Sequence, residues 1–132
     1  MVRRRQHAAG FTLIEMVIVI AIVMILLSIA VPSYQKAIIT ARETVLNENL
    51  NTMRREIVKY TLDKQRAPQS LEDLVSAGYL KEIPTDPCTH QKDWTTEQED
   101  VTMSVDQQQP GISDVHSSCP GNGTNGTAYN TW

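Results

Sequence analysis

Hydrophobic and polar positions along this chain follow two different patterns. Between residues 11 and 31, 18 of 21 side chains are apolar, and only Thr12, Glu15 and Ser28 interrupt the run. Met16 to Gln35 is a stretch of 20 residues without a charge. As a helix at about 1.5 Å per residue it reaches roughly 30 Å, the thickness of bilayer hydrocarbon. The pattern therefore predicts a helix able to span a membrane. Beyond Pro32 it turns amphipathic. Ile38, Ala41, Val45, Met53, Ile57 and Tyr60, with Leu46 and Leu50 beside them, form an expected apolar face, opposed by Lys36, Arg42, Glu43, Arg54 and Lys59. The same helix is expected to continue to about Asp63, a span on the order of 75–80 Å from Thr12, with its apolar stripe packed on a small head. Pro32 lacks an N–H and crowds the preceding turn, so a kink or local melting is expected over residues 28–32.

The remainder reads as short elements. Residues 64–69 form a linker. Ser70 is the expected N-cap of a short helix with Glu72 and Asp73 in its first turn, and Gly78 closes it at the C′ position. Residues 94–96, 101–105 and 112–116 are β-like pieces, enough for three small antiparallel strands covering the helix stripe. Residues 117–127 are turn-forming, and Tyr129 and Trp132 are expected to pin the end back onto the sheet. The fold class expected is α+β: a long N-terminal helix packed on a head with a short helix and a small antiparallel sheet.

Composition narrows the function. The 132 residues carry 12 Lys+Arg against 15 Asp+Glu, a formal charge of −3, which fits neither a basic nucleic-acid binder nor a two-domain enzyme. Apolar residues are sparse after the first run, so a large buried active site is not expected. No Ser/His/Asp grouping, phosphate-binding glycine loop or paired-carboxylate arrangement stands out, and the chain gives no enzyme signal. Arg3, Arg4 and Arg5 precede the apolar run, while Lys36 and Arg42 are balanced by Glu43 and Glu48 after it. The positive-inside rule then keeps the N-terminus cytoplasmic and exports the rest. A cleavable secretory signal is the competing account, since Ser28-Ile29-Ala30 supplies small residues. The run is too long for it, however, and Glu15 and Pro32 do not suit it. Glu15 is costly in hydrocarbon, about 2.5–3.5 kcal/mol on insertion scales, so it marks a partner or a function unless it snorkels from the end of the span.

Arg3-Arg4-Arg5-Gln6-His7-Ala8-Ala9-Gly10, then Phe11-Thr12-Leu13-Ile14-Glu15 and an unbroken apolar helix, resembles the class III signal of type IV pilins and type II secretion pseudopilins. The stretch from Tyr60 through Ala67-Pro68, Leu71, Leu74 and Gly78-Tyr79-Leu80 to Ile83-Pro84-Thr85-Asp86-Pro87 is similar to the major, G-type pseudopilin. Ala67 and Cys88 stand where that pattern has aromatic residues. The resemblance implies a pilin-like fold with a removed cytoplasmic leader (1–10), a transmembrane and polymerisation helix (11–32), its amphipathic continuation (33–63) and a periplasmic head (64–132). It implies cleavage between Gly10 and Phe11 by a prepilin peptidase and N-methylation of Phe11. Glu15 would pair with the new Phe11 amine of a neighbouring copy, or with its own at i, i+4. Pro32 would be the place where the helix bends or unwinds in a filament.

The same resemblance implies a single-pass bacterial inner-membrane subunit that polymerises into a periplasmic pseudopilus for type II protein secretion. Its partners would be copies of itself, the prepilin peptidase/methyltransferase, minor pseudopilins, the inner-membrane assembly platform and the membrane, with no nucleic acid. A type IV pilin for adhesion, twitching or DNA uptake shares the N-terminal logic and is the alternative; a membrane-anchored binding module is a third. Loss of the leader removes three Arg and takes the formal charge to −6.

Cys88 and Cys119 are the only cysteines, both in the exported part, and a disulfide between them is the preferred expectation. Closing that loop would stabilise the head by roughly 3–4 kcal/mol in the chain-entropy picture. A zinc site adding His90 and His116 is the other arrangement, though Cys-x-His is a tight spacing. Major pseudopilins carry calcium in a C-terminal loop. From 107 to 132 the one acid here is Asp114, which is the sole calcium candidate in a chain expected to need no cofactor. Asn122-Gly123-Thr124 and Asn125-Gly126-Thr127 match the glycosylation pattern and read as Asn-Gly turns.

Overall fold

The computed structural model describes residues 10–99 and 110–132. Its elements, in chain order, are α1 (Leu13–Lys64), α2 (Leu71–Ser76), β1 (Thr95–Gln98), β2 (Ile112–His116) and a final 3-10 turn, Tyr129–Thr131. The chain divides into two compact units, Met1–Ile38 and Ile39–Trp132.

In the first unit the described residues from Leu13 onward are helical, and Pro32 lies inside the helix. The backbone stays helical from Ser28 to Pro32, so the local melting anticipated there is not found. Apolar side chains throughout this segment face outward: Leu13, Ile14, Ile25 and Ile29 are each more than 60% exposed. None of the described residues of the unit covers them.

The second unit has its own core. Leu46, Leu50, Met53, Ile57 and Tyr60 of α1 pack with Leu71 and Leu74 of α2, Leu80, Trp94, and Ile112 and Val115 of β2. The α1 residues recur at steps of four and three, the spacing of one helical face. Glu43 continues that face and is buried, whereas Ala41 and Val45 are exposed, which corrects the stripe expected from sequence. At 100° per residue Ala41 lies about 180° and Val45 about 140° from Leu50. These two apolar residues of the amphipathic half therefore lie off the face that Met53 and Ile57 share.

α1 stops one residue past its expected end. Gln65 takes φ +54°, and its side-chain amide donates back to the Leu62 carbonyl oxygen at 2.7 Å. Ser70 is the N-cap of α2, and the Asp73 carboxylate accepts the Ser70 and Gln69 amides at 3.2 and 2.8 Å. Gly78 follows α2 at φ +82°, a left-handed conformation that a side chain would oppose. Trp94 is fixed at the core edge by its indole N–H, which donates to the Pro84 carbonyl oxygen at 2.8 Å.

β1 and β2 pair antiparallel, with Thr95 opposite His116 and Glu97 opposite Asp114, and an irregularity between Glu97 and Gln98. The expected strand at 112–116 is present as placed, and the first is shifted to Thr95–Gln98. The middle piece, 101–105, lies outside the described residues. Ile112 and Val115 carry β2 onto the core. Gly111 lets β2 begin against the linker: a Cβ there would sit 2.4 Å from Ala67 Cβ and 2.9 Å from its backbone. The small residue at 67, where the resemblance has an aromatic, therefore belongs to this close approach.

Candidate functional site

The N-terminal motif is assembled at the first turn of α1. Thr12 precedes the helix, and its hydroxyl oxygen accepts the Glu15 backbone N–H at 3.3 Å while its carbonyl oxygen accepts that of Met16 at 3.2 Å. These are the bonds of an N-cap, and Thr12-Leu13-Ile14-Glu15 carries the capping-box spacing Thr-x-x-Glu. Glu15 thus also places a negative charge in the first helical turn, where the macrodipole favours it. The sequence reading missed this role of Thr12, although the box spacing was visible. Gly10 is exposed and a Cβ there would meet nothing within 4 Å, and Phe11 is 73% exposed. Among the described residues nothing covers the peptide bond between them, and the helix that follows offers apolar surface on every side, with none of its most apolar 18-residue window buried.

In the second unit the C-terminal loop is clasped to α1 by Glu43. Its carboxylate accepts the Thr124 backbone N–H at 2.7 Å, the Thr124 hydroxyl, and the Tyr129 hydroxyl at 2.8 Å. Burial by itself would push this carboxyl up, but the bonds from Thr124 and Tyr129 outweigh it and hold the group below its ordinary value. The same contact, with burial and the negative charge of Glu43 added, pushes the Tyr129 phenol above its ordinary value. Within the loop, Gly126 takes φ +83° and its N–H donates to the Gly123 carbonyl oxygen at 2.9 Å, so Asn125-Gly126 does form a turn, with the Asn125 side chain accepting the Thr127 N–H at 2.9 Å; Asn122 instead pairs with Ala128 in a β-bridge. Trp132 packs edge-on against Tyr129 with ring centroids 5.1 Å apart, and its indole N–H donates to the Thr127 hydroxyl at 2.6 Å.

Cys88 and Cys119 form a disulfide with Cα atoms 5.8 Å apart. A zinc site using both thiolates is thereby set aside. Asp86, fully buried, braces the bridge: its Oδ1 accepts the Cys88 N–H at 2.7 Å, and its Oδ2 accepts the Ser117 hydroxyl at 2.5 Å. Ser117 Oγ in turn accepts the Cys119 N–H at 3.0 Å. The Asp86 of the Pro-Thr-Asp-Pro turn is thus a folding residue, joining two segments 31 residues apart.

Asp114, the calcium candidate, does not present a calcium donor set. Its Oδ1 is taken by Arg54 Nε at 2.6 Å and by the Val115 N–H at 2.7 Å, and His116 Nε2 lies 3.7 Å from Oδ2. Burial would raise this carboxyl, but the Val115 amide and the Arg54 guanidinium bring it below its usual range. Calcium needs six to eight hard oxygens, and a guanidinium and an imidazole stand where several of these would be. The clasp through Glu43 holds the loop with protein groups instead.

Comparison with known proteins bears on the N-terminal half first. Residues 5–31 match the prokaryotic N-terminal methylation motif. The competence protein ComGC of Halalkalibacterium halodurans is 36% identical over 75 residues, 57% of this chain and 74% of that protein. The type II secretion system core protein G of Pseudomonas aeruginosa is 34% identical over 100 residues, 64% of this chain and 70% of that protein. The type IV wide pilus major component PilA4 of Thermus thermophilus is 37% identical over 79 residues, 60% of each chain. No solved structure matches the chain.

Proposed function

We propose that this chain, which belongs to the type IV pilin-like family carrying a class III signal, is a structural pseudopilin of a type II protein secretion system. Its relatives are structural pilin and pseudopilin subunits, not enzymes, and members of the family are processed by prepilin peptidase and polymerise. On this reading the precursor waits in the bacterial inner membrane with its N-terminus in the cytoplasm and its head in the periplasm. Cleavage between Gly10 and Phe11 and methylation of Phe11 precede insertion into a short periplasmic fibre. Partners there are other copies of the chain, minor pseudopilins and the assembly platform.

The observation that carries the subunit role is the capped Phe11-Thr12-Leu13-Ile14-Glu15 start of a helix whose apolar surface is exposed on all sides. Such a surface needs lipid or other helices around it. The secretion assignment is supported by the alignment with core protein G, the longest of those reported, and by the turn at Ile83-Pro84-Thr85-Asp86-Pro87. A second reading, a subunit of a DNA-uptake or type IV pilus filament, is favoured by the ComGC alignment, which reaches 74% of that protein.

Deleting the gene separates the two. Exoproteins trapped behind the outer membrane are expected for secretion; intact secretion with lost transformation or twitching would replace that assignment by the second. Mass spectrometry of the mature chain should find N-methyl-Phe11 as its first residue, and a mature chain still beginning at Met1 would overturn the processing on which both readings depend.

A further inference from the structure

The two-stranded sheet sets three metal-binding side chains on one face. Register puts Glu97 directly opposite Asp114, and His116, two residues along β2, projects to the same side as Asp114. Two carboxylates facing each other across strands repel. The groups that meet them from the packed elements are the Arg54 guanidinium of α1 and the His116 imidazole. Arg54 satisfies only Asp114 Oδ1, leaving Oδ2 and the Glu97 carboxylate turned toward His116 Nε2, at 3.7 and 3.4 Å. One ligand atom from each of the three residues lies within 4.8 Å of the other two. Two donors each about 2.0–2.1 Å from a tetrahedral zinc ion lie roughly 3.3–3.4 Å apart, and the two separations from His116 Nε2, 3.4 and 3.7 Å, are close to that.

The histidine is also oriented from behind. His116 Nδ1 is 2.7 Å from the Trp132 carbonyl oxygen, which can only accept, and 3.4 Å from Arg54 Nη2, which can only donate; the much shorter contact puts the proton on Nδ1. In the neutral ring the Nε2 lone pair then points at the two carboxylates. An imidazole held through its other nitrogen by a carbonyl is the usual outer support of a metal-binding histidine. Arg54 supports Asp114 in the same way, through the oxygen that the ion would not use.

We propose that Glu97, Asp114 and His116 form a three-ligand site for a divalent transition-metal ion of the zinc type, with the fourth position open to water. One nitrogen and two carboxylate oxygens suit zinc and not calcium. The bound ion ties β1 to β2 and, through His116, to the C-terminal residue described.

The test uses the full-length, tag-free, oxidised chain in detergent micelles, titrated with zinc chloride against a colorimetric chelator and followed by thermal melting. One zinc per chain and a higher Tm are expected. His116→Ala and Glu97→Gln should each weaken binding at least tenfold, while His90→Ala should leave it unchanged. Calcium and magnesium should not raise the Tm. Cobalt should give the visible bands of a tetrahedral site in the parent chain and none in His116→Ala. Glu97 is exposed, so its variant should match the metal-free parent in Tm, which separates lost binding from lost folding. Absence of saturable zinc uptake, or equal uptake by His116→Ala, would overturn the site and leave His116 as an ion-pair partner of the two acids.

Discussion

A carboxylate withdrawn from water is ordinarily harder to ionise, and Glu43, only 7% exposed, is nevertheless held below its ordinary value because Thr124 and Tyr129 surround it with donors. Since the folded-state value is depressed, the clasp contributes stability that is present above the unfolded-state value near 4.5 and is lost as pH falls through the folded value. Melting curves of the full chain should therefore show Tm falling on acidification below about pH 4.5. In Glu43→Gln the uncharged amide accepts through one oxygen only and leaves at least one buried donor short, at a cost of about 1–3 kcal/mol near neutrality. The difference in Tm between the two proteins should shrink as pH falls. An equal difference at pH 7 and pH 3 would show that the charge of Glu43 is not what holds the loop. This clasp was not legible in the sequence, where Glu43 reads as one more charge on a polar face. Its partners lie 81 and 86 residues away, and no local spacing links a helix carboxylate to a threonine in a glycine-rich loop.

At the scale of elements, α1 does two different jobs, and among the described residues only its second half has a partner layer. Leu50 is 1% exposed between α2 and β2 residues of the core, whereas Val45 on the same helix is 50% exposed. Leu50→Ala should destabilise the head by about 2–5 kcal/mol, by lost transfer and by the cavity left. Val45→Ala should move stability by no more than about 0.5 kcal/mol, and denaturant unfolding of the two variants checks the pair. Comparable losses at both positions would contradict the observed helix face. Sequence periodicity found the helix and its extent because an unbroken apolar run passes directly into an amphipathic one, with Pro32 the single breaker in more than fifty residues. It misplaced the face where apolar residues are scattered around the helix, since Ile39, Val45, Val58 and Leu62 remain exposed on it. α2 and β2 were legible for a local reason: the Ser70 cap, the Gly78 stop and the short β-like run from Ile112, bounded by Pro110-Gly111, each act within a few residues.

The disulfide also belongs to the fold at this scale, because it joins the turn after Pro87 to the segment leaving β2. Its pairing was legible from parity alone, two cysteines in one stretch that the charge pattern predicts to be exported. The Asp86–Ser117 bond beside it required the fold. Replacing both cysteines by serine should lower stability by about 3–4 kcal/mol, the value for a loop of this size. The Asp86–Ser117 bond keeps the two segments adjacent, so the head should still fold. Reductant should lower the Tm of the parent and not that of the double variant.

For the molecule as a whole, the buried apolar core among the described residues draws on Leu46 onward, and the described apolar residues from Phe11 to Val31 are exposed. Folding of the head and polymerisation through the N-terminal helix therefore depend on different residues, and a change at one should leave the other standing. Glu15 tests that separation. It lies in the first turn of α1, four residues after the Phe11 amine that processing would create, and the cost of a carboxylate in hydrocarbon favours pairing it with that cation. On the proposed reading, Glu15→Ala keeps the Cys88–Cys119 bridge and the melting temperature of the head, keeps leader removal and N-methyl-Phe11, and loses filament assembly. Glu15→Asp, which retains the charge on a shorter side chain, should assemble partially. The set is read by mass spectrometry of the mature terminus, thiol counting, and fibre recovery from cells expressing the variant. Normal fibres from Glu15→Ala would remove the pairing. Retained leader in that variant would move the role of Glu15 to recognition by the peptidase, and a lowered melting temperature of the head would show that the two units do not fold separately.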